Sequence, residues 1–333
     1  MAGCLASTIC QHAVSDSTAR HRQTRRVSPG TKVPPSAAVL VALVGLAPPV
    51  LETGMQVTVV GTHSMIAQAL STLPATAGWR WLTHAQAADP VETFDNTDVV
   101  LNCAFAPALR TGALDPADDI DMKLALRLMP HPRAHLITLS TRMVYGLSVD
   151  GTPWRESMPC NPHTPYGRNK LQIEAQLHSL LGPRLTVLRL SNVFGLELAN
   201  GRRSFMAQAQ QALLSRGCIS LDVSPFVARD FIPLDHLAAS LLKVIHGVQP
   251  GCYNLGAGVA VPVGRVMQRL TMGLGRGQML VTDWREHDPF ALDIGRAVQT
   301  FSIRPLSADE VLAACDTLGA TLRERSEAMS CST

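Results

Sequence analysis

The stretch QVTVVGTHSMIAQAL, residues 56–70, changes its period at Gly61. Before the glycine, near-continuous Val residues read as a strand buried on both faces. After it, SMIAQALSTL (64–73) repeats its apolar residues at helical spacing. A strand that passes through glycine into a helix is the turn at which backbone N–H groups and a helix N-terminus face a pyrophosphate. A plain strand-to-helix turn has the same pattern, so the rest of the chain must decide between the two.

The same alternation continues outward. DVVLNCAFA (98–106), AHLITLS (134–140) and RLTVLRLSNV (184–193) read as further strands, and DIDMKLALRLM (119–129) and YGRNKLQIEAQLHSLLG (166–182) as helices. Strands that are apolar throughout belong to a parallel sheet covered on both sides. Alternating with helices, they predict an α/β fold, a Rossmann-type doubly wound parallel sheet. After about residue 196 the elements shorten and carry more Gly and Pro, which suits a smaller C-terminal substrate-binding region. The expected organisation is therefore an extension at 1–54, a nucleotide-binding domain at 55–195, and at 196–333 a mainly substrate-binding region with some elements returning to the sheet.

Residues 1–54 read differently. STARHRQTRRVSPGTKVPPS (17–36) is rich in Arg, Ser and Pro, and Asp16 and Glu52 are the only acids before Met55. Three readings stay open for this segment: Met55 as the physiological start, a disordered or non-native extension, or a targeting segment. The apolar run SAAVLVALVGLA (36–47) falls short of the roughly 20 residues that span a bilayer, so no membrane partner is expected. A net charge of +3 over 333 residues, with no basic run interleaved with aromatics in the body of the chain, argues against nucleic acid. The 8 cysteines contain no CxxC pair, which points away from a zinc site or a disulfide framework and towards a reducing, cytoplasmic setting. Cys103, inside an apolar run, reads as a small core residue rather than a nucleophile.

TPYGRNK (164–170) holds the candidate chemistry. Tyr166 and Lys170 stand four apart, on one face of a helix. A catalytic phenol must ionise well below its usual pKa of about 10, and a neighbouring ammonium acts in that direction. Lys170 can also hold ribose hydroxyls. Ser140 and Thr141 end a strand 25 residues before Tyr166, at the carboxyl edge where α/β sheets bind ligands. A hydroxyl there can bond the same substrate oxygen as the phenol.

Together with LSTRMVYG (139–146), LRLSNVFG (188–195), ARDFIPLDHLA (228–238) and CYNLGAG (252–258), these motifs stand in one order. Over about residues 55–315 the chain resembles the extended short-chain dehydrogenases/reductases, specifically the NAD-dependent epimerase/dehydratase family acting on nucleotide sugars. The resemblance implies catalytic roles for Thr141, Tyr166 and Lys170, with Asn192 and Arg229 as further substrate contacts alongside Thr141. Arginine's planar fork suits a diphosphate. Plainer readings stand beside these, Asn192 capping a turn and Arg229 pairing with Asp230. For the cofactor, NAD or NADP, the implied contacts are Gly61, Ser64, Met65, Ile66, Ala104, Tyr166 and Lys170. A nucleotide sugar as substrate and dimerisation through the Tyr166 helix follow from the same resemblance.

Departures from the family pattern carry expectations too. Its three glycines are here Gly61, Ser64 and Ala67, and Ser64 puts a side chain where backbone should approach phosphate. No carboxylate stands in RWLTHAQA (80–87) to hold the adenosine ribose, which keeps NADP open beside NAD; Arg80 is a candidate phosphate ligand. Dehydratases carry an Asp-Glu pair where this chain has Arg142 and Met143, which disfavours dehydration. The stretch 150–177 looks like dTDP-4-dehydrorhamnose reductases, and ARDFIPLDHLA is closer to sugar epimerases. The expected function is thus an NAD(P)-dependent oxidoreductase/epimerase of a nucleotide sugar, with hydride transfer at sugar C4 and Tyr166 as acid-base, the alternatives being a 4-keto sugar reductase like the dTDP-4-dehydrorhamnose reductases and a catalytically inactive NAD(P)-binding regulatory or assembly protein.

Overall fold

The structure is a computed structural model that describes residues 54–110, 112, 115, 118–148, 150–197 and 204–330. All of them belong to the compact unit Glu52–Thr333. The extension expected at 1–54 lies outside the described residues except for Gly54.

The first half alternates strands and helices: β1 (Val57–Val60), α1 (Met65–Ser71), β2 (Arg80–Leu82), α2 (His84–Ala88), β3 (Val99–Asn102), α3 (Ile120–Leu128), β4 (His135–Thr141), α4 (Pro165–Leu181) and β5 (Leu185–Leu190). There follow β6 (Asn192–Phe194), α5 (Phe205–Arg216), β7 (Cys218–Leu221), β8 (Ala228–Pro233), α6 (Leu234–His246), β9 (Gly251–Leu255), β10 (Ala260–Pro262), α7 (Val263–Leu274), β11 (Gln278–Val281), α8 (Gly295–Phe301) and α9 (Ala308–Ser330).

Six strands form one sheet in the order β2-β1-β3-β4-β5-β9, every neighbouring pair parallel. The order reverses at β1, which lies between β2 and β3, and such a switch point opens a crevice at the carboxyl ends of the strands. The period of two explains the apolar runs. Val57 and Val59 of β1 pack with Ala67 and Leu70 of α1 and Leu237 and Leu241 of α6, whereas Val60 of β1 and Val100 of β3 pack with Leu124 of α3 and Leu177 of α4. Both faces are therefore dry, each buried aliphatic side chain contributing roughly 1.5–3 kcal/mol.

The run RLTVLRLSNV is not one strand. β5 stops at Leu190, and β6, beginning at Asn192, leaves the main sheet to pair with β8 in a second sheet of order β10-β8-β6. A third core, with Phe231, Val266, Met267, Leu270 and Leu312 among its residues, gathers β8, α7 and α9. β9 joins the main sheet beside β5.

Candidate active site

Gly61 ends β1 with φ +94, and a Cβ there would stand 2.5 Å from Ala104 N and 2.7 Å from its Cα. Only glycine lets the turn lie so close to the end of β3. Ser64 then caps α1, its side chain accepting the Ala67 amide at 3.1 Å. The serine oxygen expected to stand in the way of a phosphate is thus turned onto its own helix. Ala67, 1% exposed, fits tightly against the sheet as a small residue must.

β4 delivers the two hydroxyls to different jobs. Ser140 donates to Glu174 of α4, a carboxylate also gripped by Arg189. Thr141 instead accepts the Met143 amide at 3.3 Å, capping the turn Arg142–Val144 and keeping its own proton for donation. Thr164 caps α4 by accepting the Gly167 amide at 3.1 Å, with Pro165 in the first turn, so the helix begins beside Tyr166. Gly167 is indispensable to this meeting: a Cβ on it would stand 2.6 Å from Met143 O. The helix start is thereby pressed against the turn that follows Thr141.

These elements enclose one cleft of about 1020 Å³, at the upper end of the roughly 300–1,000 Å³ that hold drug-sized ligands. Gly61, Ser64, Met65, Ile66 and Ala104 line one part of it, and Thr141, Tyr166 and Asn192 line it as well. Phe105 stands edge-on to the Tyr166 ring at 5.6 Å, and Arg110 lies over Phe105 at 4.9 Å. Burial pushes the Tyr166 phenol above its ordinary pKa, while Lys170 and Arg110 pull it down. Cys103 also borders the cleft, 6% exposed, its thiol pushed up to about 12 by burial. It is no thiolate nucleophile.

Two expected residues stand elsewhere. Lys170 lies behind the cleft wall, its ammonium 3.0 Å from Asp121 of α3. Arg229 bonds the carbonyl oxygens of His287 at 2.8 Å and Asp288 at 3.2 Å. It does not pair with Asp230, whose carboxylate accepts the amides of Ala257, Gly258 and Leu292. Arg142 pairs with Asp288 and lies 4.0 Å from the centre of the Phe290 ring, while Met143 faces the cleft. At the start of β2, Arg80 is taken by Glu92 and the Thr93 carbonyl and does not line the cleft, whereas His63 and His84 do. Sequence reasoning assigned no role to Asp121, Gly167, His63 or His84. The glycine directly after Tyr166 was the one available signal for a close helix approach.

Among the described residues no helix is long and apolar enough to cross a membrane. The pattern of the NAD dependent epimerase/dehydratase family matches residues 51–256. The chain is 36% identical over 143 residues to dTDP-6-deoxy-L-talose 4-dehydrogenase (NAD(P)(+)) of Kitasatospora kifunensis, covering 41% of this chain and 45% of that protein. It is 31% identical over 169 residues to UDP-glucose 4-epimerase of Yersinia pestis, covering 43% and 49%. These matches span about half the length of the curated relatives. UDP-N-acetylglucosamine 4-epimerase from Methanobrevibacter ruminantium M1 superposes with TM-score 0.68 at 18% identity, over 80% of this chain and 97% of that one. UDP-glucose-4-epimerase from Stenotrophomonas maltophila does so with TM-score 0.68 at 18% identity, over 84% and 100%. At such identity the likeness is one of fold. The match over more than half of the 333 residues shows that the chain belongs to the NAD dependent epimerase/dehydratase family.

Proposed function

We propose that the protein is an NAD(P)-dependent oxidoreductase of nucleotide-linked sugars, acting at sugar C4, with Tyr166 exchanging the hydroxyl proton. The observation that carries this reading is a single cleft that joins the Gly61 turn to Thr141 and Tyr166. The residues present fit the cofactor: the turn is open at φ +94, Ser64 is folded onto Ala67, and the volume of about 1020 Å³ is at the upper end for ligand clefts. Gly61, Ser64, Met65 and Ile66 would hold its pyrophosphate half and Ala104 its neighbouring ribose. The nicotinamide supplies hydride transfer when bound.

The chain's own residues handle the proton. Thr141 donates its free hydroxyl proton to the substrate oxygen, and Tyr166 gives or takes the proton at that oxygen. Asn192 lines the same cleft and would meet the substrate's diphosphate. Arg142 is committed to Asp288, and Met143 carries no acid, so neither position offers the carboxylates that water elimination requires. Two curated relatives are named for chemistry at position 4, a dehydrogenase and an epimerase.

The test supplies UDP-glucose and dTDP-6-deoxy-L-talose separately with NAD or NADP. Net reduction of added cofactor identifies a dehydrogenase/reductase, and a new C4 epimer without net cofactor change identifies an epimerase. Tight cofactor binding with no turnover on any nucleotide sugar would instead make this a binding protein.

A further inference from the structure

Lys170 stands one turn after Tyr166 on α4 and does not itself line the cleft. Its side chain is 4% exposed and its partner Asp121 is 0% exposed, with 3.0 Å between Nζ and Oδ2. The other carboxylate oxygen of Asp121 is fixed from two strands, accepting from Asn102 Nδ2 of β3 at 2.6 Å and from Thr138 Oγ1 of β4 at 2.6 Å. Asn102 is in turn held, its Oδ1 accepting the Ala104 amide at 2.9 Å, so the anchor reaches the residue that faces Gly61 across the cleft floor. Asp121 is therefore a hub joining β3, β4 and α3 to the lysine.

We propose that Asp121 is a positioning residue for the reaction centre: held by Asn102 and Thr138, it fixes the Lys170 ammonium behind Tyr166 and keeps that cation in place for the phenol and the cofactor. This rests on the functional reading above. The sequence reading gave Lys170 two direct jobs; in this geometry the ammonium performs neither until Asp121 has placed it.

The physical need for such an anchor follows from burial. A buried ammonium without a partner surrenders its proton. Burial is the largest influence on Lys170 and works against its charge; Asp121 foremost, then Tyr166 and Asp119, more than reverse it. The charged and titratable groups around the ammonium are Asp119 and Asp121 from α3 and Tyr166 from α4. Arg110 and Cys103 enter this field from the cleft wall through the phenol and Asp121 respectively. Asp119 caps α3 by accepting the Asp121 amide at 2.8 Å, and its second oxygen is buried with no partner. Burial and the Asp121 charge raise Asp119 to about 6, so it adds its negative charge only above that pH.

The chain has only four lysines, Lys32, Lys123, Lys170 and Lys243. Full-length protein with ¹³Cε-labelled lysine therefore gives a titration that needs neither substrate nor cofactor, and Lys170→Met assigns its signal. In the unmodified chain the Lys170 resonance is expected to stay at its charged position through the alkaline range in which a free lysine loses its proton. In Asp121→Asn it should titrate at least about one unit lower than in the parent. Cofactor titration across the same pH range should then show Asp121→Asn losing affinity on the alkaline side, where the parent retains it.

If Lys170 loses its proton in the ordinary lysine range in the parent chain, the proposal fails, and that measurement requires no variant to fold. It also fails if the lysine shifts in Asp121→Asn but the pH dependence of cofactor affinity does not, because the pair is then structural only. Failure of the functional reading appears separately, as Tyr166→Phe retaining full turnover.

Discussion

Tyr166 owes its place to its neighbours: Thr164 and Pro165 start the helix, Gly167 lets it approach, and Phe105 packs against its ring. Tyr166→Phe keeps that packing and removes the proton, so turnover on the nucleotide sugar found by screening should fall by about 10² to 10⁴. Cofactor affinity should barely change. Thr141→Val removes one hydrogen bond to the reacting oxygen and should cost less, roughly 1–3 kcal/mol of transition-state stabilisation. Lys170→Met is harsher than the i, i+4 spacing alone implies, because it strands the buried Asp121 carboxylate, a loss of about 3–5 kcal/mol in stability. Turnover, cofactor titration and melting curves on the three variants separate these effects; wild-type turnover in Tyr166→Phe would remove the chemistry from this residue altogether. Spacing made Tyr166 and Thr141 visible in the sequence. Asp121 was not, since its role exists only once β3, β4 and α4 surround it.

At the scale of elements, β1, β3, β4 and β5 were legible because strands covered on both faces must be apolar throughout. β2 has three residues and a half-exposed pattern, and β6 continues directly from the apolar run of β5, so neither had a boundary that composition could mark. The two tight approaches carry their own prediction. Gly167→Ala places a Cβ 2.6 Å from the Met143 carbonyl, so α4 must retreat from the Thr141 turn. Expected is a drop in turnover of at least about tenfold with cofactor affinity kept, since a small displacement of a catalytic group is enough for that. Unchanged turnover would mean that the turn after Thr141 yields instead. The stretch that begins with β2 carries another. Arg80 is tied to Glu92 and Thr93, and no carboxylate stands in the stretch 80–87, so NAD should be preferred over NADP by less than about tenfold, or not at all. Titration with both cofactors decides this, and a strong preference for NAD would reveal a ribose ligand outside β2.

Across the whole described unit, stability against acid is set by buried groups that oppose one another. His135 of β4, 9% exposed, donates from Nε2 to Thr186 Oγ1 of β5 at 2.8 Å, because the threonine's proton already goes to the Gln249 carbonyl. Burial, helped by Arg184, lowers its pKa to about 4. Between about 4 and the ordinary value near 6.5 the unfolded chain therefore holds a proton that the fold does not, and stability is lost as pH falls through that window. Asp119 and Asp230 act in the other sense. Burial raises each to about 6, so the fold binds their protons more readily and stability is lost as pH rises from about 4 to 6. The acid-side decline of the unmodified protein is thereby blunted. His135→Gln retains a donor for Thr186 but cannot titrate. Urea unfolding at pH 7 and pH 5 should show the histidine chain losing about 2 kcal/mol more over that interval than the glutamine variant. Equal losses in both would mean that His135 accepts its proton within the fold, and the β4–β5 pairing would then have to tolerate an imidazolium beside Arg184.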